Sequence, residues 1–271
     1  MALSISRAWD ETKARIASDG RLMVIVAAAL LLLPQALVSV LAPPEQLSGE
    51  KPPELVNLLA LLAGMIGLVA QVAIIRLALV QSTSVGEAIS HGLRRFLPVF
   101  VAAILLMVGL FLLVLPLMLL AGAGGELAQG DARPASVLIA VGLLLLVAIL
   151  IGPRFLMLMP VATAERGGPI HILKRSWEIS KGHYLRLLGF MLLILVAAII
   201  IVGAVQLVAG ALLAGIFDEI DPLSFGALLY GLIFGALQAL FGVILSVMLA
   251  RMYVQLSGAE AADVSVPNSG T

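Results

Sequence analysis

Arginines beside long apolar runs are the side chains in this sequence best suited to a chemical task, the binding of phosphate. Arg76, Arg154 and Arg251 each lie near one end of such a run, where a cation can reach a membrane surface. A guanidinium group binds phosphate oxygens through two parallel hydrogen bonds, so these arginines are suited to lipid headgroups. A simpler interpretation is that each arginine only anchors its helix end at the membrane interface, without binding a specific ligand. Both interpretations stay open.

A short sequence pattern containing arginine and tryptophan occurs twice. Residues 7–10 read Arg-Ala-Trp-Asp and residues 175–178 read Arg-Ser-Trp-Glu. A hydroxyl residue and a lysine follow each copy, at 12–13 and 180–181, and a long apolar run comes next. A weaker third copy begins at residue 89. The pattern indicates an internal repeat of three units.

Each copy shows apolar residues at helical spacing, which predicts amphipathic helices near 4–18, 84–95 and 169–183. A tryptophan with basic neighbours suits a helix lying among lipid headgroups. A helix packed on the protein's own inner surface would use the same residues, and this alternative stays open. The residues that we expect at a lipid-headgroup or interface site are Arg76, Arg154, Lys174, Arg175, Trp177, Lys181 and Arg251.

Four acid and imidazole groups, Glu165, His171, Glu178 and His183, are the candidates for a hydrolytic metal site. A simpler interpretation is that these four residues lie on the solvated face of an amphipathic helix and bind no metal. No HExxH, GxSxG or P-loop pattern occurs in the sequence. We therefore expect no catalytic residue, no metal and no cofactor, with a membrane-embedded hydrolase as the least favoured function.

The composition is that of a membrane protein, with 62% hydrophobic and 12% charged residues. Six apolar runs reach the roughly 20 residues that a helix needs to cross a bilayer. They must be helical, because lipid offers no hydrogen-bond partner for an unpaired backbone N–H or C=O. We predict an all-α polytopic protein of one six-helix domain over 1–256, followed by a disordered cytoplasmic tail at 257–271. The predicted spans lie near 22–42, 55–80, 96–121, 135–160, 185–216 and 225–256.

The distribution of basic residues predicts the orientation of these helices. Of the 16 lysines and arginines, only Lys51 and Arg133 fall in connections on the other side from the N-terminus. The positive-inside rule then predicts that both termini are cytoplasmic. Each repeat unit becomes an amphipathic cytoplasmic helix followed by a hairpin of two spans.

The last span carries a stripe of small residues at every fourth position, which favours close helix packing. Packing within the chain is the preferred interpretation and dimerisation the alternative, so the oligomeric state stays open. The residues of this stripe are Ala227, Gly231, Gly235 and Ala239.

The interiors of the predicted spans contain amides but no acidic residue or lysine, which argues against proton- or sodium-coupled transport. A lipid or small-molecule transporter of another kind remains the alternative function. It would need a cavity that reaches the membrane midplane near Gln71, Gln206 or Gln238.

One stretch, residues 159–189, carries a family resemblance. Its residues are Pro160, Glu165, Gly168, Pro169, Lys174, Arg175, Ser176, Trp177, Ser180, Lys181, Gly182, Leu187, Leu188 and Gly189. The stretch resembles the bacterial family named for the membrane domain of glycerophosphoryl diester phosphodiesterase. In some members that membrane region precedes a separate barrel, which carries the phosphodiesterase chemistry. The resemblance implies an integral inner-membrane protein and transfers no catalytic activity.

These observations favour a non-catalytic membrane module that organises lipids or partner proteins at the inner leaflet. The expected partners are membrane lipids, including anionic ones, and a membrane protein, with no nucleic acid. We expect the chain in the bacterial inner membrane as a multi-pass protein.

Overall fold

The computed structural model describes residues 3–42, 53–120, 134–217 and 221–258, with the side chains of Leu120, Pro134 and Ala214 left aside. The elements there are α1 (Ile5–Ala27), a π-helical turn (Ala28–Leu32), α2 (Leu33–Leu41), α3 (Glu54–Leu79), α4 (Val85–Leu120), α5 (Pro134–Phe155), α6 (Leu158–Ala164), α7 (Pro169–Ser180), α8 (Tyr184–Ile216) and α9 (Phe225–Ser257). Lys51, Arg133 and the predicted disordered tail from residue 259 onward lie outside the described residues.

Six helical stretches among the described residues are long and apolar enough to cross a membrane. They are Ile5–Leu41, Glu54–Leu79, Val85–Leu119, Ala135–Ala164, Tyr184–Leu213 and Phe225–Ser257. The prediction of an all-helical chain with six long apolar helices is therefore confirmed.

The predicted amphipathic helices near 4–18 and 84–95 are not separate elements, which corrects the expectation. The first belongs to a helical stretch of 37 residues, and the second forms the opening turns of α4. No residue at either predicted boundary has a left-handed backbone, so each helix runs on. Only the third, α7, is separate, because Gly182 in the following turn has a φ of 80° that few other residues adopt.

Prolines cause two local departures from regular helix. Pro34 has no N–H for the carbonyl four residues earlier, and the preceding turn widens so that the Leu33 N–H bonds to Ala28 O, five residues back. The fourth predicted span, 135–160, is interrupted at 156–157, between α5 and α6. Pro160 lies in the first turn of α6 and cannot continue the hydrogen bonding of α5 across that point.

The helices pack most closely at one end of the bundle, where α1, α4 and α8 begin and α3, α6 and α9 end, with α7 across it. We call this the polar end. Buried apolar side chains from these helices form two clusters there, which meet around Leu79 and Met159. α3 lies at the centre and carries fully buried residues such as Val72 and Ile74. Toward the other end, α4, α5 and α8 expose many large apolar side chains.

Candidate functional site

Arg251 and Arg15 cap the C-terminal end of α3. A helix end leaves carbonyl groups without intrahelical donors. Arg15 Nη2 donates to the carbonyl oxygens of Leu77, at 2.7 Å, and Val80, at 3.0 Å. Arg251 Nη2 donates to Ala78 O. Arg251, a predicted headgroup residue, is therefore committed to a contact inside the bundle.

Arg154 is also held within the protein. Its guanidinium carbon lies 4.8 Å from the ring centroid of Trp177 and 5.3 Å from that of Tyr184. These are distances at which a cation is attracted to the face of an aromatic ring. The carbonyl oxygen of Arg154 accepts hydrogen bonds from the hydroxyls of Ser176 and Ser180, at 3.0 and 3.1 Å. Together these contacts attach α7 to the end of α5.

Arg175, the third of the predicted arginines, is bound by Glu165. Oε1 of Glu165 accepts hydrogen bonds from Arg175 Nε at 3.0 Å and from the Tyr253 hydroxyl at 2.9 Å. Its Oε2 accepts one from His171 Nε2 at 3.3 Å. The carboxylate thereby joins α7 to the end of α9.

These contacts decide the ionisation of Glu165. Partial burial alone would raise the pKa of its carboxyl, but the hydrogen bonds from Arg175, Tyr253 and His171 and the charge of Arg175 outweigh it, so the pKa is lowered. The hydrogen bond to Glu165 likewise raises the pKa of Arg175. The pair is charged at neutral pH.

Two residues of α4 bind the end of α6. His91 Nε2 donates to the carbonyl oxygen of Thr163 at 3.0 Å, and Arg95 Nη2 donates to that of Glu165 at 2.6 Å. Gly92 brings α4 close to α3, since a Cβ at this position would stand 2.7 Å from Val69 O. The ends of α3 and α6 and the start of α4 therefore converge.

Arginines line the cavity that forms where these three elements meet, and we call it the basic cavity. It has a volume of about 620 Å³. Thr163 and Ala164 complete its lining, which contains no carboxylate. Its basic residues are Arg76, His91, Arg94, Arg95 and Arg166.

A second hollow of about 600 Å³ shares Arg76, His91 and Arg94 with the basic cavity. Its one carboxylate, Glu87, accepts a hydrogen bond from the backbone N–H of Ser84 at 3.0 Å, as the cap of α4. The arginines thus lie between two adjoining open spaces, and the nearby acid is already used in a helix cap.

Three guanidinium groups of the basic cavity have free hydrogen-bonding capacity. Among the described residues, Arg76, Arg94 and Arg166 form no hydrogen bond or ion pair, whereas Arg95 donates to a backbone carbonyl. Glu87 interacts electrostatically with Arg76 from the adjoining hollow, but the lining of the basic cavity contains no carboxylate, and several like charges held together attract an anion. Phosphate is the anion that fits these donors best, because one guanidinium group can donate two parallel hydrogen bonds to two phosphate oxygens.

The remaining predicted residues, which lie on α7 and at its C-cap, do not line this cavity. Lys174 and Lys181 are exposed, and neither has a polar partner within the part of the chain that the structure describes. Trp177 is partly exposed beside Arg154. The inner face of α7 is buried through Ile172, Ser176 and Ile179, so this helix packs on the protein itself.

The four predicted residues of the small-residue stripe are buried on α9, and Gly231 and Gly235 face α2 and the π-helical turn. A Cβ added to Gly231 would lie 3.0 Å from Ala36 O, and one added to Gly235 would lie 3.1 Å from Leu32 O. The stripe therefore packs within the chain.

The hydrolytic candidates do not converge as a set. Glu165 contacts His171, while Glu178 lies 3.8 Å from Arg175 Nη1. In the described ranges no three histidine or acidic side chains are grouped so that they could hold a metal ion.

Sequence reasoning did not select Arg94, Arg95, Arg166 or His91 as site residues. The three arginines contribute only to the excess of basic residues on the predicted cytoplasmic side. A signal was available in the adjacent pair at 94–95, one helical turn after His91. Its convergence with Arg76 and Arg166 depends on how three separate segments pack.

Comparison with known proteins gives a family. No curated protein and no solved structure matches the chain. A family model described as a domain of unknown function (DUF7847) matches residues 13–256, which include every residue of the basic cavity. Since this match covers most of the chain, the protein belongs to the DUF7847 family.

Proposed function

We propose that this protein is a non-catalytic module of the bacterial inner membrane that binds the phosphate headgroups of anionic lipids and so organises lipids or partner proteins at the inner leaflet. The observation that carries the proposal is the basic cavity, in which Arg76, Arg94 and Arg166 have no hydrogen-bond or ion-pair partner among the described residues. An anionic headgroup supplies the missing counter-charge.

In this proposal the polar end of the bundle faces the cytoplasm and both termini lie there. The support is the positive-inside rule, since Lys51 and Arg133 are the only basic residues expected on the other side. The basic cavity then opens at the level of the inner-leaflet headgroups, where anionic lipids attract arginine.

The proposed internal repeat draws support from two matching contacts, one in each of its two clear copies. Thr12 Oγ1 donates to Ala8 O at 2.7 Å, and Ser180 Oγ donates to Ser176 O at 2.8 Å. These pairs occupy equivalent positions in the two clear copies of the repeat. The tryptophans of the two copies are also similarly exposed, at 42% and 40%.

Kinship with the membrane-domain family of glycerophosphoryl diester phosphodiesterase is part of the proposal. The residues of that resemblance have structural roles that suit a shared membrane fold: Pro169 is at the start of α7, and Arg175 is bound to Glu165. None of these roles requires phosphodiesterase chemistry.

Lipid binding by the purified protein tests the proposal. Native mass spectrometry would follow titration with phosphatidylglycerol, with phosphatidylcholine and, separately, with inorganic phosphate. The test variant is R94Q/R166Q, and the matched control is K174Q/K181Q, which removes the same charge from α7 and its C-cap. Loss of two charge-assisted contacts should weaken binding of phosphatidylglycerol at least tenfold.

The arms of the experiment separate the outcomes. The basic cavity is supported as a headgroup site if the wild type and the control retain phosphatidylglycerol and R94Q/R166Q loses it. Equal binding of phosphatidylglycerol by all three proteins, or loss only in K174Q/K181Q, overturns it. Saturation by inorganic phosphate without lipid preference would reassign the cavity to a soluble phosphate compound.

A further inference from the structure

A groove runs between α1 and α9 on a different face from the basic cavity. It has a volume of about 510 Å³. Its polar end is lined by Trp9, Thr12 and Lys13, and its walls beyond them are apolar, with Ile16 and Leu32 on one side and Leu240 on the other.

Small residues and an irregular turn make the space for this groove. Ala27, Ala236 and Ala239 line it and leave room that larger side chains would fill. Ala28 and Leu32 belong to the π-helical turn, in which the helix widens ahead of Pro34. The groove is therefore a consequence of local sequence on both helices.

One charged group lines the groove, the ammonium group of Lys13. Lys13 Nζ lies 2.9 Å from Asp10 Oδ1, and both side chains are mostly exposed. Exposed pairs of this kind contribute little, so a phosphate can share or replace Asp10 as the partner of Lys13. Trp9 beside it has the amphipathic ring that is typical of the headgroup boundary.

The length of the groove fits one extended hydrocarbon chain. From Lys13 to Ala28 a helix rises by about 22 Å, which exceeds the ~15 Å that one leaflet contributes to the hydrocarbon core. Both residues lie within the helical stretch Ile5–Leu41, whose apolar part follows Arg21 and is long enough to cross a membrane. The groove is lined mostly by apolar residues, and its one charged residue lies at one end.

We infer that the groove between α1 and α9 binds one acyl chain of an anionic phospholipid, with the lipid phosphate at Lys13 and the chain running past Ile16 toward Leu32. This site goes beyond the headgroup binding proposed for the basic cavity, because it shares no residue with that cavity. It predicts a lipid held as part of the protein's surface.

Fluorescence of Trp9 provides a direct readout. The chain has two tryptophans, so W177F leaves Trp9 as the single emitter. The W177F protein would be reconstituted in phosphatidylcholine vesicles with increasing phosphatidylglycerol whose chains carry bromine, a contact quencher. We expect quenching to saturate at a low fraction of brominated phosphatidylglycerol.

Groove-filling variants make the test specific. Ala236 and Ala17 line the groove and are exposed, so A236F and A17F should fill it without disturbing the core. A60F places the same ring on an exposed surface of α3 as the matched control. Each filling variant should need roughly tenfold more brominated phosphatidylglycerol for the same quenching of Trp9. K13Q should lose the preference for brominated phosphatidylglycerol over brominated phosphatidylcholine.

Equal quenching in A236F, A17F and A60F overturns the acyl-chain site, and an unchanged lipid preference in K13Q overturns the assignment of phosphate to Lys13. R94Q/R166Q in the same W177F background should keep the quenching of Trp9. The groove and the basic cavity can thus fail independently.

Discussion

The hydroxyl of Tyr253 donates a hydrogen bond of 2.9 Å to Glu165 Oε1, although the two residues are 88 positions apart in the chain. Tyr253 is in the last turns of α9, and Glu165 follows the end of α6. Arg175 and His171 from α7 bind the same carboxylate. This contact joins three elements at the polar end of the bundle.

Removal of the Tyr253 hydroxyl should weaken that junction. We expect Y253F to lower the free energy of unfolding by about 1 kcal/mol, the typical net value of one hydrogen bond. Thermal unfolding in detergent would measure it. Y230F is the control, because the Tyr230 hydroxyl has no hydrogen-bond partner among the described residues. An identical decrease in both variants would contradict the assigned role.

Acid should remove the contribution of Glu165 to stability. Its carboxyl pKa is lower in the folded protein than its ordinary value of 4.5, so the folded state favours the charged form. The stabilisation is therefore complete above about pH 4.5 and is lost as pH falls through the lowered folded pKa. The groups facing this carboxylate are Arg175, His171 and Tyr253.

Melting temperatures of the wild type and E165Q between pH 7 and about pH 2 would check this sign, because the loss falls below the ordinary pKa of the carboxyl. The wild type should be the more stable protein at neutral pH, and the difference should shrink on acidification. A difference that grows toward acid pH would show that Glu165 is stabilised in its protonated form instead.

An alanine at Gly231 should separate α9 from α2. Its Cβ would lie 3.0 Å from both Ala36 O and Ser39 Cβ, and the backbone oxygen cannot move aside easily. We expect G231A to cost about 1–3 kcal/mol of stability, the usual range for overpacking. G203A serves as the control, since nothing lies within 4 Å of its added Cβ. Unaltered unfolding of G231A would be inconsistent with this packing.

Loss of the Arg251 side chain should expose the end of α3. R251M removes the donor to Ala78 O and leaves a carbonyl unsatisfied in a half-buried place. We expect a loss of about 1–3 kcal/mol, and a smaller loss in R251K, whose ammonium keeps a donor. Thermal unfolding would compare the two. If R251M were as stable as R251K, the arginine would not act as a cap.

Cysteine labelling in cells would test the orientation. The sequence contains no cysteine, so Q81C and S224C each introduce a single thiol, at the polar end and at the other end of the bundle. A reagent that does not cross the inner membrane should label S224C and spare Q81C until the membrane is opened. The opposite pattern would reverse the topology.

The sequence by itself determined the class of protein and the six long helices. Composition suffices for this, because a run of about 20 apolar residues has to become a helix in lipid. The sequence did not reveal that residues 4–18 and 84–95 continue into the following helices, because an amphipathic pattern alone does not mark where a helix ends.

Only the tertiary structure decided which basic residues act together. Arg154 and Arg251 look equivalent to Arg76 in the sequence, yet they contact the Trp177 ring and Ala78 O inside the protein. Arg76 instead joins Arg94, which comes from α4, and Arg166, which lies in the connection between α6 and α7. The physical reason is that helix packing brings together residues distant in the chain, whereas local sequence sets only the helix face on which each one lies.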